Sequence, residues 1–286
     1  MDKIKTAVLD AGNNLKMKMW NIRFFSLLMI VACIMDMYLS TVRMTAGIIG
    51  EKINFSMLPF LWDDAYANKI LLLLVLFFYS NVPFMEKNQF YIVIRTGKER
   101  WSERNMVYII LSSFLLNVSL VLISIIEIFP VADFSNEWTK ASRMVALTDA
   151  GSEMMFGIDY GLIKSFSPWE LFGRSFLIGW LVTMILAVFM YVVSLWGSRA
   201  FAYGLTACVA MLPQFTAQVL EWFHPVPKLL YFSPAEWVRC SKWAGRGNPT
   251  GLDMIYITAA CVMIYLLLFV LGGYKISRTD WNMEEE

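Results

Sequence analysis

The sequence predicts an all-α membrane protein. Six transmembrane helices are expected, with an N-terminal interfacial helix, a short cytoplasmic helix between the second and third spans, and a re-entrant outer segment before the last span. Three observations carry this. Hydrophobic residues make up 58% of the 286-residue chain and charged residues only 16%, with mean hydropathy +0.56, whereas a soluble domain carries roughly 25% charged residues. The apolar residues gather in runs near the ~20 that a helix needs to cross a ~30 Å hydrocarbon layer. Lys and Arg are denser in alternate connections, as the positive-inside rule requires of cytoplasmic loops.

Residues 1–23 carry Lys3, Lys5, Lys16, Lys18 and Arg23 among Ile4, Val8, Leu15, Met17, Met19 and Trp20. This pattern reads as an amphipathic helix on the inner membrane surface, with Trp20 at headgroup level. A cleaved signal peptide is a poorer reading. The apolar run that follows exceeds an h-region of about 7–15 residues, and no A-x-A site follows it.

A single six-span membrane domain is expected over residues 24–286. The spans are Phe24–Val42, Asn68–Met85, Met106–Ile128, Ser175–Trp196, Ala200–Trp222 and Leu252–Gly273. The second is short, and the fifth carries Pro213, Gln214 and Gln218. Such residues suit a kinked span whose freed groups meet protein or a cavity. Counting alternately places both termini in the cytoplasm. The inner segments then hold 13 Lys and Arg in 59 residues, against 10 in the 100 residues of the outer loops.

The stretch Glu86–Arg104, EKNQFYIVIRTGKERWSER, fixes that orientation with five basic residues. Within it Phe90, Tyr91, Val93 and Ile94 fall on one face of a short helix, and Gly97 offers the left-handed position that ends such a helix. It reads either as a docking helix for a soluble partner or as a solvated loop. Among the outer loops, residues 129–174 are expected to form short helices. Residues 223–251 begin HPVPKLLYFSPAEWV, where prolines 225, 227 and 234 forbid one continuous helix. That segment reads as a hairpin dipping into the outer leaflet, shielded by protein, or as an interfacial aromatic loop.

Few residues offer chemistry. Asp36 is the only acid well inside a span, either a substrate contact or a side chain reaching the headgroups. Asn117, Gln214 and Gln218 are either interhelical hydrogen-bond partners or the lining of a polar substrate path. Glu127, Glu221 and Arg174 lie at outer span ends, where an ion pair among them is expected. His224 is the only histidine, which excludes a multi-histidine metal centre. No Walker-type GxxxxGK[ST], HExxH or GxSxG motif occurs. No catalytic residue, cofactor or metal is therefore assigned to this chain, and a net charge of +1 argues against nucleic acid as a partner.

Taken together, the basic N-terminal helix, six spans, basic helical loop, tight Gly197-Ser198-Arg199 turn and Pro-broken outer segment resemble the permease subunit of bacterial ABC exporters of the type-two class. Three stretches carry the local resemblance. They are IVIRTGKERW (Ile92–Trp101), YFSPAEWV (Tyr231–Val238) and GYKISRTDW (Gly273–Trp281). The resemblance implies a subunit of the bacterial cytoplasmic membrane that pairs with a second permease, the same or different. It implies docking of separate ATPase subunits, which hold ATP and Mg, through Phe90, Tyr91, Ile94, Arg95 and Trp101. The cargo would be peptide, lipid or amphipathic. A non-transporting immunity or sensor protein, and a lipid-acting membrane enzyme, remain the other expectations.

Overall fold

A computed structural model describes residues 22–83, 93–95, 97–148, 154–220, 233–243 and 251–278, and of 212–220 the backbone alone. Ten α-helices and two short strands are named among them, here numbered in chain order. These are α1 (Ile22–Ile49), β1 (Ile53–Asn54), α2 (Leu58–Asp63), α3 (Ala65–Phe78), α4 (Lys98–Ile128), β2 (Ala132–Asp133), α5 (Lys140–Leu147), α6 (Tyr160–Ser165), α7 (Pro168–Ser194), α8 (Arg199–Leu220), α9 (Pro234–Trp237) and α10 (Met254–Arg278). Among the described residues α1, α4, α7 and α10 are long and apolar enough to cross a membrane, which marks this as a helical membrane protein. A 3₁₀ turn extends α3 to Asn81, giving a shorter apolar helix. Helix α8 has 22 residues.

Four of the six expected spans are met by helices of membrane-crossing length and apolarity among the described residues, and these differ from the expected bounds mainly at their ends. Helix α1 runs to Ile49 rather than Val42, because Arg43 lies within the helix and finds partners on two sides. Its buried residues Leu27, Val31, Met35, Leu39, Val42 and Ala46 repeat at three- and four-residue intervals, one face turned to the bundle. Helix α4 begins at Lys98 rather than Met106. Its first turns are too charged to register as apolar but are helical all the same. At 31 residues it is about 46 Å long, so roughly 16 Å extends beyond a ~30 Å hydrocarbon layer. Helix α7 begins at Pro168, seven residues before the expected start. There Ser-Pro-Trp-Glu forms a helix N-terminus: the Ser167 hydroxyl accepts from the Glu170 amide at 3.4 Å, and Pro168 occupies the first turn.

Helix α7 is the centre of the bundle. It packs against α2, α3, α4, α8, α9 and α10, and 67% of its most apolar window is buried, against 17% for α10. At one level α4 and α7 approach around Gly179. The Asn117 amide on α4 donates to the Thr183 hydroxyl on α7 at 2.7 Å and to the Ser113 carbonyl at 3.0 Å. A Cβ at Gly179 would lie 3.2 Å from Asn117 Oδ1 and 3.6 Å from Trp62 Nε1. Replacing Gly179 with Leu is therefore expected to destabilise the fold by about 1–3 kcal/mol through overpacking. Thermal unfolding in detergent against a Gly179→Ala control checks this.

One end of the bundle is capped by protein. Strands β1 and β2 pair in parallel, Ile53 opposite Ala132 and Asn54 opposite Asp133. Asn54 is fully buried. Its amide donates to the Glu137 carbonyl at 2.9 Å, and its Oδ1 accepts from the Thr139 amide at 2.9 Å and the Ser142 hydroxyl at 2.9 Å. Phe55 stacks on Phe134 and meets Trp169 and Phe172, while the Trp138 indole donates to the Phe166 carbonyl at 2.7 Å. The expected short helices in residues 129–174 are α5 and α6, capped by Thr139 and Asp159.

Residues 233–243 pack into this same cap. Pro234, Ala235, Glu236, Trp237, Val238, Cys240 and Trp243 are buried. The Asn68 amide donates to the Ala235 carbonyl at 3.0 Å, and the Ser241 amide and hydroxyl both donate to Asp63, at 2.9 and 2.7 Å. Burial pushes the Cys240 thiol well up, and the Asp63 carboxylate adds to the shift. The described part of the Pro-broken segment, residues 233–243, is thus buried in protein, while residues 223–232, with Pro225 and Pro227, lie outside the described residues.

Candidate functional site

The end opposite the cap holds the described part of the basic loop. Residues 93–95 are helical. Gly97 stops the turn: its amide donates to the Val93 carbonyl at 2.8 Å, and its φ of +84° with ψ of 147° is backbone that only glycine adopts without strain. Ile94 and Arg95 are exposed, Ile94 at 69%. Lys98 then opens α4, and its ammonium donates to the Ser277 carbonyl at 3.0 Å, so a cation meets the C-terminal end of α10. Lys275 lies over the Trp196 ring at 5.1 Å, bringing the end of α7 to the same place.

Of the expected docking residues, the structure presents Ile94 and Arg95 to the outside. Phe90 and Tyr91 lie outside the described residues. Trp101 is buried at 2% exposure beside Tyr191, ring centroids 6.4 Å apart. The Tyr191 hydroxyl donates to Ser102 at 3.0 Å. Helical spacing alone does not separate a tryptophan facing the partner from one facing α7. Trp101 is three residues from Lys98 and four from Asn105, on the face that α4 turns to its neighbour.

Of the expected polar candidates, Asn117 is buried and engaged with Thr183 and Ser113. Gln214 and Gln218 lie on α8, where side chains are outside the description. Asp36 sits near the middle of α1, its side chain 54% exposed, 2.5 Å from Arg43 Nη2. Arg43 Nη1 reaches across to α4, contacting the Glu127 carboxylate at 2.9 Å and the Glu127 carbonyl at 2.7 Å. Glu127 therefore pairs with Arg43. Arg174, expected to pair with Glu127 or Glu221, pairs with Glu170 one turn away, and Glu221 lies outside the described residues. Arg43 was the residue that sequence reasoning missed. Its spacing from Asp36, seven residues and two turns of helix, was the signal that could have found it.

Among the described residues no group of three His, Cys, Asp or Glu is placed to hold a metal ion. The described geometry thus defines a helical membrane protein with a folded cap at one end and a projecting basic turn at the other. No model of a known protein family matches the chain, and no curated protein matches it either.

Proposed function

We propose that this chain is the membrane-spanning subunit of an ATP-driven exporter of the ABC class, in a bacterial cytoplasmic membrane with both termini cytoplasmic. It pairs with a second permease subunit and docks separate ATPase subunits to move peptide, lipid or amphipathic cargo. In this reading α3 and α8 join the four long helices as spans, six in all. The observation that carries the reading is the turn at Val93–Arg95, with Ile94 and Arg95 exposed, ended by Gly97 and seated on the projecting start of α4. A force applied there reaches α7 through Trp101 and Tyr191, and α10 through Lys98 and Ser277. ATP binding by a docked partner would then couple to helix positions in the membrane, and cargo would reciprocally alter ATP affinity.

The test is a pair of changes on the loop. Ile94→Asp with Arg95→Glu, or Tyr91→Ala with Arg95→Glu, is expected to reduce co-purifying ATPase by about tenfold or more, as loss of a central contact does. The chain itself should keep its yield and unfolding temperature. Unchanged recovery of the ATPase with both variants would remove the loop from the docking role.

A further inference from the structure

We propose that the outward face of α1 is the seam through which two copies of this chain pair in the membrane. The inward face of α1 is the one that carries Leu27, Val31, Met35, Leu39, Val42 and Ala46. On the opposite face Ile30, Cys33, Met37, Ser40, Met44 and Gly47 follow one another at alternate intervals of three and four residues, and Ser26 continues the series one step back. All but the half-buried Ser40 are exposed. That alternation is the heptad period, which keeps one stripe of a helix turned toward a partner in a left-handed pair. Size alternates along it as well. Ile30, Met37 and Met44 are large, while Ser26, Cys33, Ser40 and Gly47 are small. Small residues let two membrane helices bring their backbones together, and methionine adapts to the gaps between. The Ser26 and Ser40 hydroxyls donate to carbonyls of their own helix, Arg23 at 3.0 Å and Met37 at 3.1 Å, so neither obstructs the approach.

A charge on the same face says what covers it. Arg23 and Arg43 stand twenty residues apart, about 30 Å along the helix, the depth of a hydrocarbon layer. Asp36 lies seven residues in from Arg43, about 10 Å along the axis, next to Met37 of the seam. Its side chain is 54% exposed, and its cation, Arg43, is shared with Glu127. Lipid tails offer a carboxylate no hydrogen bond, so an acid at that depth faces protein or a water-filled path. The heptad stripe beside it decides for protein. A second copy meets both demands. Two-fold pairing of α1 sets small residue against small residue and methionine against methionine at each level. It also brings the second copy's Cys33 thiol, Ser40 hydroxyl and Arg43 guanidinium, all donors, to the level of Asp36. That permeases pair at all belongs to the exporter reading above; the seam and its occupant go beyond that reading and require no ATPase.

Oxidative cross-linking in membranes holding two differently tagged copies tests this. In a Cys208→Ser chain the exposed Cys33 is expected to link the copies, and Cys33→Ser to abolish the link. With both cysteines replaced by serine, Ile30→Cys, Met37→Cys and Ser40→Cys are each expected to restore it. Leu266→Cys, on the exposed face of α10, is expected to stay unlinked. Cys33→Leu with Ser40→Leu adds bulk away from the bundle. It is expected to weaken pairing by about tenfold or more, read as energy transfer between labelled copies in vesicles, with the unfolding temperature unchanged. Links from Leu266→Cys and not from the α1 positions would overturn the proposal, as would α1 links only to a chain of different mass, or full pairing in the double-leucine chain. Copies that link through α1 with no co-purifying ATPase would count against the exporter reading and leave the seam standing. An ATPase recovered with copies that do not link would do the reverse.

Discussion

Replacing Asn54 with Ala is expected to open the cap. Asn54 is the point where the strand after α1 meets the segment after α4, more than eighty residues away. Its one buried side chain serves the Glu137 carbonyl and the Thr139 amide, both part-buried, and the buried Ser142 hydroxyl. Truncation leaves those groups without it, and a buried polar group left unpaired costs about 1–3 kcal/mol. The Glu137 carbonyl keeps Ser135 and the Ser142 hydroxyl keeps Thr139, so the loss is expected to reach about 1–3 kcal/mol, enough to loosen β1 from β2 and expose α5. Lys140 and Arg143 on the exposed side of α5 would then become sites of rapid trypsin cleavage. Asn54→Asp keeps the acceptor but loses the donor toward Glu137, so its cleavage rate should fall between the two. Equal protection of the wild-type and Asn54→Ala chains would show that the aromatic cluster of Phe55, Phe134, Trp169 and Phe172 holds the cap alone.

Arg43→Met is expected to damage the fold at the junction of α1 and α4. The guanidinium serves two carboxylates, Asp36 on its own helix and Glu127 on the neighbour, and also takes the Glu127 carbonyl. Without it Glu127 loses the cation that it pairs with among the described residues. For a pair that is only partly buried that loss amounts to roughly 2–3 kcal/mol, below the figure for a fully buried pair. It corresponds to a fall of about 3–5 °C in the unfolding temperature for a chain of this size. Asp36→Asn alone should do less, since that carboxylate faces outward. The combination Arg43→Met, Asp36→Asn and Glu127→Gln removes every charge together, and should recover most of the lost stability. A triple variant as unstable as Arg43→Met would show that packing of the long arginine stem, not charge balance, is what α1 requires.

These two sites mark where the sequence was readable and where it was not. Apolar runs located α1, α4, α7 and α10, because a membrane-crossing helix leaves an unbroken hydropathy signal. Charge misled at the ends. Arg43 looked like a terminus, yet two acids supplied by α1 and α4 let the helix continue to Ile49. Lys98–Asn105 looked like loop, yet Gly97 is the break and the helix starts directly after it. Gly97 itself was legible, because a positive φ has a residue preference. The pairing of Ile53–Asn54 with Ala132–Asp133 was not, since a two-residue strand has no periodicity and its partner is remote in sequence. Asn117 was recognised as a polar residue in a span, but Thr183 and Gly179, which decide what it does, are ordinary residues until α4 and α7 are brought together. Trp101 shows the same limit: its residue type suited docking, and its place on α4 turned it toward Tyr191.

The central claim is that the turn at Val93–Arg95 is where this membrane subunit receives force from an ATPase. The most direct measurement is mild-detergent purification of the chain expressed with its neighbouring genes, followed by intact-complex mass spectrometry and an ATPase assay. The account predicts a stoichiometric ATP-hydrolysing partner bound to a pair of permease subunits. That partner should cross-link from a cysteine placed at Ile94 and not from one placed at Leu147 in the cap. A chain that purifies without any nucleotide-binding partner, or a partner that cross-links only from the cap, would contradict it.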